Sequence, residues 1–146
     1  MDYRKEYEKW LASPALSEDE RAELRALEGN DKEIKARFYG PLEFGTAGLR
    51  GTMYTGLHNM NRHVIRWATQ GFANVIRAEG TEAMQKGIAV CMDCRNHSAE
   101  FARETACVMA ANGIHVRLFE SLRPTPELSF AVREYGCQAG VNVTAS

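Results

Sequence analysis

The chain has 146 residues, 45% hydrophobic and 25% charged, with 18 Lys plus Arg against 19 Asp plus Glu and a formal net charge of -1. That length suits one domain, and the ordinary composition excludes a disordered, collagenous or disulfide-stapled chain. So balanced a charge lacks the basic field that nucleic acid or anionic lipid selects, and no apolar run approaches the about 20 residues of a membrane helix. The charged start Met1-Asp2-Tyr3-Arg4-Lys5-Glu6 lacks the apolar stretch of a signal peptide. The expectation is a cytoplasmic protein with reduced thiols and neither a nucleic-acid nor a membrane partner.

Residues 1–40 hold 8 Lys/Arg and 10 Asp/Glu, so a charge-dense leader precedes a less polar body at 41–146. Tyr3, Tyr7 and Trp10 fall at i, i+4 and i+7, one face of a helix that stops near Ser13-Pro14. Ser17 followed by Glu20 is a capping box, opening a helix with Leu24 and Leu27 inward and Gly29 at its end. A shorter helix carries Ile34 and Phe38 up to Gly40-Pro41. The leader thus reads as a helical arm, clamped onto the body by its aromatic face.

In the body, Asn61 opens a helix to about Ala78, with Val64, Ala68, Phe72, Val75 and Ile76 facing in and Gly71 tolerated where another backbone packs close. From Gly87 the pattern is β-α-β-α-β. Ile88 to Met92 is a continuous apolar run, as in a strand buried on both faces. Ser98 N-caps a helix over 99–111. Alternation at Ile114, Val116 and Leu118 gives a half-buried strand near an edge. Thr125-Pro126 supplies a cap and an N1 proline ahead of Leu128, Phe130 and Ala131. Residues 139–143 make the last strand. The class is α/β: a three-layer α/β/α sandwich with a mostly parallel, mixed sheet, preceded by the helical arm.

Such sheets place their chemistry at the carboxyl ends of the strands. Those ends carry Asp93-Cys94-Arg95-Asn96-His97-Ser98, the proline-stiffened Glu120 to Pro126, and Thr144-Ala145-Ser146. Separately, Phe44-Gly45-Thr46-Ala47-Gly48-Leu49-Arg50-Gly51 has glycines at three-residue spacing, which bring backbone N–H groups close to an anion, and Arg50 adds a planar fork for phosphate. It fits neither a Walker loop nor a dinucleotide fingerprint, and a turn with no ligand remains its competing reading. Asp93 and Arg95 read as a local ion pair fixing their loop, and His97 and Ser98 as helix cap. His58, His63 and His115 share no zinc spacing. Cys91 and Cys94 form a C-x-x-C whose first cysteine lies within a strand rather than at a helix start, so all four cysteines, with Cys107 and Cys137, read as structural thiols. Ser146, just past a parallel strand and preceded by small residues, sits where an exposed nucleophile would, without the elbow of an α/β-hydrolase.

Four ordered segments together resemble the N-terminal domain of the α-D-phosphohexomutase superfamily, the phosphoglucomutases and phosphomannomutases. They are Phe44 to Gly51, Asp93-Cys94-Arg95 with Ser98 and Phe101-Ala102, Arg123-Pro124-Thr125-Pro126, and Val143-Thr144-Ala145-Ser146. The leader and Leu42-Glu43-Phe44-Gly45-Thr46 look most like the phosphoglucomutase/phosphopentomutase branch. The resemblance implies a phosphosugar mutase, an isomerase interconverting glucose 1-phosphate and glucose 6-phosphate. Ser146 would be the phosphorylated catalytic residue and, through its phosphate, a ligand of Mg²⁺. Arg50, Thr46 and Gly48 would bind the phosphosugar, and glucose 1,6-bisphosphate would be the intermediate and activator.

In that family the serine is followed by His-Asn-Pro and three further domains, which bring an Asp-rich metal loop, a sugar-selecting loop and a distal phosphate loop. This sequence stops at Ser146 and has no Asp-x-Asp-x-Asp. The expectation is therefore a piece truncated at the phosphoserine loop, inactive alone, whose partners are the remaining mutase domains and a hexose or pentose phosphate. Alternatives are a phosphomannomutase or phosphopentomutase domain, a non-catalytic sugar-phosphate-binding module, and a structural domain whose aromatic leader binds a partner.

Overall fold

The computed structural model describes residues 1–46 and 48–144. It divides into two compact units, Met1–Val64 and Ile65 onward.

The first unit starts with three short helices, each opened by a polar cap. Asp2 accepts the N–H groups of Arg4 and Lys5 at the start of α1 (Tyr3–Leu11). The expected capping box is present at α2 (Glu18–Arg25): Ser17 Oγ accepts from Glu20 N–H, and the Glu20 carboxylate accepts from Ser17 N–H at 2.8 Å. Asn30 caps α3 (Asp31–Phe38). Their apolar faces meet in one cluster of Leu16, Leu24, Leu27, Ile34, Phe38 and Leu57. Tyr3, Tyr7, Trp10 and Leu11 pack on its outside, with Tyr7 and Trp10 each edge-on to Phe38 at 5.7 Å between ring centroids. The aromatic face of the leader thus closes on a core that the leader itself largely builds. A small hairpin comes next, β1 (Phe44–Gly45) antiparallel to β2 (Gly48–Leu49). Asn61 then opens α4 (Arg62–Ala78), its Oδ1 accepting from the N–H groups of His63 and Val64 at 3.1 Å each.

In the second unit α4 buries Ile65, Thr69, Ala73 and Ile76, a stripe at helical spacing. Val75, expected in that stripe, is 57% exposed, since it lies one residue, about 100°, from Ile76. Gly71 is also exposed, and a Cβ added there would meet no heavy atom within 4 Å, so no close backbone explains the glycine. A short helix that no sequence pattern signals, α5 (Thr81–Lys86), leads to the sheet.

That sheet has three parallel strands in the order β4-β3-β5: β3 (Ile88–Met92), β4 (Val116–Leu118) and β5 (Ala139–Val143). β4 is shorter than the expected 114–118, beginning at Val116 beside Ile88. The His115 carbonyl takes the N–H of Ile88, and its own N–H goes to Met84 O. The crossovers run through α6 (Ser98–Ala111) and α7 (Thr125–Glu134). α6 carries the chain from β3 to β4 and α7 carries it back past β3 to β5, opposite directions along the sheet, so right-handed connections put the two helices on opposite faces. Ala89 and Cys91 pack with Leu128 of α7, which leaves Ile88 and Val90 to the α6 face. This is the expected α/β/α layering. The antiparallel pairing belongs to the separate β1–β2 hairpin, and all three strands of the main sheet are parallel. Phe130 of α7, expected inward, is exposed. Among the described residues no helix is long and apolar enough to cross a membrane.

Two glycines give opposite expectations. Gly87 has φ +65°, and a Cβ there would stand 2.0 Å from the His115 carbonyl oxygen. Gly87→Ala is expected to cost at least about 2–3 kcal/mol, from strained backbone and displaced β3–β4 pairing. Gly71→Ala, in an exposed helix position, is expected to stabilise by about 0.5–1 kcal/mol. Urea unfolding of the two variants beside the parent chain checks both signs.

Candidate functional site

The glycine-rich segment folds as the β1–β2 hairpin, pairing Phe44 with Leu49 and Gly45 with Gly48. Gly48 has φ +110°, a conformation that side-chain-bearing residues rarely adopt, so the tight return depends on glycine there. Thr46 lies at the exposed tip, and Ala47 lies outside the described residues. Arg50 comes directly after β2, exposed, and no carboxylate of the described residues pairs with it. The hairpin therefore presents an exposed guanidinium beside a tip with accessible backbone, a donor set suited to phosphate.

The segment after Arg50 is fixed from below by a network that no sequence pattern signals. Glu23 of α2 accepts the Thr55 N–H at 3.2 and 3.3 Å and the Thr55 hydroxyl at 2.5 Å. Arg37 of α3 is buried, ion-paired with Glu23 and with Glu33 at 3.0 Å, and its guanidinium lies 4.3 Å from the Tyr54 ring centroid. Asn61 Nδ2 donates to the carbonyls of Tyr54 and Gly56 at 3.0 and 2.8 Å. Leu42 N–H to Leu57 O and Met60 N–H to Thr52 O close the base. The charged leader thus holds the loop that carries the chain away from Arg50.

At the carboxyl rim of the parallel sheet the central group is Asp93, immediately after β3. Its Oδ1 accepts the Ser98 hydroxyl at 2.6 Å and the Arg95 N–H at 3.1 Å, and its Oδ2 accepts the Thr144 hydroxyl at 2.5 Å. The Arg95 guanidinium stands 3.6 Å from Oδ2, the local ion pair expected from the sequence. Partial burial works to raise the Asp93 pKa, but the hydroxyls of Ser98 and Thr144 and the N–H and charge of Arg95 outweigh it. The carboxyl is held below its usual range.

Ser98 does not cap α6 as expected. It is the first helical residue and gives its hydroxyl to Asp93, while His97 takes the cap position in a left-handed conformation with no side-chain cap bond. Thr125 likewise begins α7 without capping it. Its Oγ1 accepts from Asn142 Nδ2 at 2.9 Å. The four cysteines are free, and burial, then the charges of Asp93 and Glu127, push the Cys91 thiol upward in pKa. Ser146 and the expected meeting of Ser146 with Arg50 lie outside the described residues. Among the described residues no three His, Cys, Asp or Glu side chains form a metal cage, and the rim carboxylate Asp93 is already engaged by its donors. The described residues therefore do not fit the Mg²⁺ site that the resemblance implies.

Residues 41–146 match the family model described as phosphoglucomutase/phosphomannomutase, alpha/beta/alpha domain I. Among curated relatives, a phosphopentomutase of Homo sapiens is 39% identical over 125 residues, covering 82% of this chain and 20% of the relative. A phosphoglucomutase of Staphylococcus aureus (strain USA300) is 38% identical over 117 residues, covering 80% of this chain and 21% of the relative. A phosphomannomutase of Mycoplasma pneumoniae is 32% identical over 143 residues, covering 97% of this chain and 26% of the relative. The chain thus spans about a fifth to a quarter of the length of these relatives. No solved structure matches it.

Arg37→Met tests the support beneath Arg50. Removing one partner of a buried pair costs about 3–5 kcal/mol, and the half-exposed carboxylates here lower the expectation to about 2–3 kcal/mol. Hydrogen exchange across residues 52–60 is expected to speed up more than exchange in β3. Equal acceleration in both would show a global effect without a special role at the loop.

Proposed function

Because the chain belongs to the phosphoglucomutase/phosphomannomutase family through its α/β/α domain I, we propose that it supplies the serine-bearing domain of a cytoplasmic phosphosugar mutase. The observation that carries this reading is the end of β5. Val143 and Thr144 emerge there at the carboxyl rim, tied to Asp93, and Ala145-Ser146 continue them in sequence. In this reading Ser146 carries a phosphoryl group. A hydroxyl of the sugar monophosphate attacks phosphorus, the bond to Ser146 Oγ breaks, and the hydroxyl proton is passed on to the serine. The sugar is then a bisphosphate. It turns over and returns its other phosphoryl group to Ser146, so phosphate and protons balance over the cycle.

Arg50 would hold a phosphate of the sugar, assisted by backbone N–H groups of the hairpin at Thr46 and Gly48, giving charge-assisted bonds that favour the spread negative charge of the transfer. A Mg²⁺ ion would need carboxylates that the described residues do not provide. The chemistry attributed to this chain is therefore that of its serine, its arginine and its backbone donors. The 146-residue chain alone is expected to be inactive with glucose 1-phosphate and 1,6-bisphosphate.

The sugar is one of the hexose or pentose phosphates, so the test uses a panel of glucose, mannose and ribose 1-phosphates with the full-length enzyme that carries this domain. Ser146→Ala is expected to abolish turnover on every sugar and to remove the phosphate mass adduct, with the melting temperature unchanged. Arg50→Ala is expected to reduce kcat/KM by about 1.5–3 kcal/mol, one charged hydrogen-bonding group. Full turnover by Ser146→Ala would overturn the reading. Phosphate binding that depends on Arg50, with no adduct and no turnover in any variant or the parent, would favour a non-catalytic sugar-phosphate-binding module instead.

A further inference from the structure

We propose that Asp93 is a positioning residue: its carboxylate holds the hydroxyl of Thr144 and so fixes the start of the segment that leads to Ser146. The inference rests on the reading of Ser146 as phosphoryl carrier and deepens it.

The two carboxylate oxygens take different hydroxyls. Oδ1 takes the Ser98 hydroxyl and the Arg95 N–H, both from the loop and helix after β3. Those contacts suffice to shape that loop. Oδ2 takes the hydroxyl of Thr144, 51 residues along the chain, with the Arg95 guanidinium 3.6 Å away. An ionised carboxylate only accepts, so both hydroxyls must donate to it, and the Thr144 proton is thereby committed to one direction. A second tether runs through the backbone, where Asp93 N–H donates to Val143 O at 3.4 Å.

This bond is not needed to place β5. The strand is already registered on β3 over five pairs, from Ile88–Ala139 to Met92–Val143. Thr144 lies one residue past the last pair, where no ladder bond constrains the chain. A side-chain bond at that point acts on the direction in which the chain leaves the sheet. Its effect falls on the residues beyond Thr144, and Ser146 is two positions further in the sequence. Ser98 is fully buried and Thr144 half-buried, so water does not readily replace either donor.

The test uses the full-length enzyme that carries this domain, with whichever of glucose, mannose or ribose 1-phosphate it turns over fastest. Thr144→Val removes the donor while keeping the shape. It is expected to lower kcat by about 10- to 100-fold through misplacement of the serine, with KM within about twofold and the melting temperature within a few degrees. Thr144→Ser restores the hydroxyl and is expected to recover kcat to within about threefold of the parent. Asp93→Asn is expected to lower kcat at least as much as Thr144→Val. In the double variant the second change should add less than about twofold, because the two act through one bond.

Parental kcat in Thr144→Val overturns the proposal. So do a Thr144→Ser variant as slow as Thr144→Val, losses that multiply in the double variant, or a loss confined to KM. If Asp93→Asn does not fold, the Thr144 pair decides alone. Ser146→Ala run in parallel separates the two levels. An active Ser146→Ala removes the phosphoryl-carrier reading, and the positioning inference with it. An inactive Ser146→Ala beside a fully active Thr144→Val removes only the positioning.

Discussion

The parallel pairing of β3 with both of its neighbours is the constraint on which the rim depends. Ile88 to Cys91 are completely buried, so their backbone N–H and C=O groups have no water to turn to and must be met by β4 and β5. The side chains then divide by alternation, Ala89 and Cys91 toward α7 and Ile88 and Val90 away from it. A slip of one residue would exchange these sets between two helices of different shape, so the register is strongly specified. With Met92 opposite Val143, the next residues on each strand, Asp93 and Thr144, are neighbours by necessity. A carboxylate and a hydroxyl placed there find each other without any local sequence pattern that announces it.

That contrast explains what could be read from the residues alone. The apolar run at 88–92, the capping box at Ser17 and Glu20 and the aromatic face of α1 are local patterns, each contained within one or two turns or one strand. They appear where expected. The β1–β2 strands have two residues each and α5 has six, too few for any periodicity to register. Ser98 shows how a correct local signature misleads. A serine before a helical run is the mark of an N-cap, but the helix begins at Ser98 itself, with His97 in the cap position, and the Ser98 hydroxyl donates to Asp93. Val75 and Phe130 depart for another reason: an apolar residue is not obliged to be inside, and the buried stripe of each helix is narrower than its apolar one.

The charges of the leader show a similar limit. A segment with 18 charged residues in 40 reads as solvated, and much of it is. Arg37 is the exception, buried beneath Tyr54 with Glu23 and Glu33 around it. Such a group would be costly if left unpaired, and its partners give it value as a specifier of geometry more than of stability. Through Glu23 the same network reaches Thr55, 32 residues away, and holds the loop behind the hairpin. The sequence marks Arg37 as one more cation at i+4 from Glu33. Only the folding of residues 52–60 over α3 reveals why it must be arginine, which can serve two carboxylates, a carbonyl and a ring at once.

The rim poses an electrostatic question that its geometry answers. A carboxylate one residue past a strand end would repel the phosphoryl group proposed for Ser146, because like charges repel and a phosphate carries about -1.5 to -2 charge. Asp93 avoids an exposed negative face by turning its lone pairs inward, to two hydroxyls, one backbone N–H and the flank of a guanidinium. The depressed pKa comes from the same contacts, since together the donors favour the charged form more than partial burial disfavours it. An asparagine would carry no charge but would present one acceptor and one donor, so one of the two hydroxyls would accept from its N–H and send its own proton elsewhere. Only an acceptor on both sides lets Ser98 and Thr144 donate together. The charge is therefore the consequence of needing two acceptors from one small side chain, and its cost is offset by the donors it gathers.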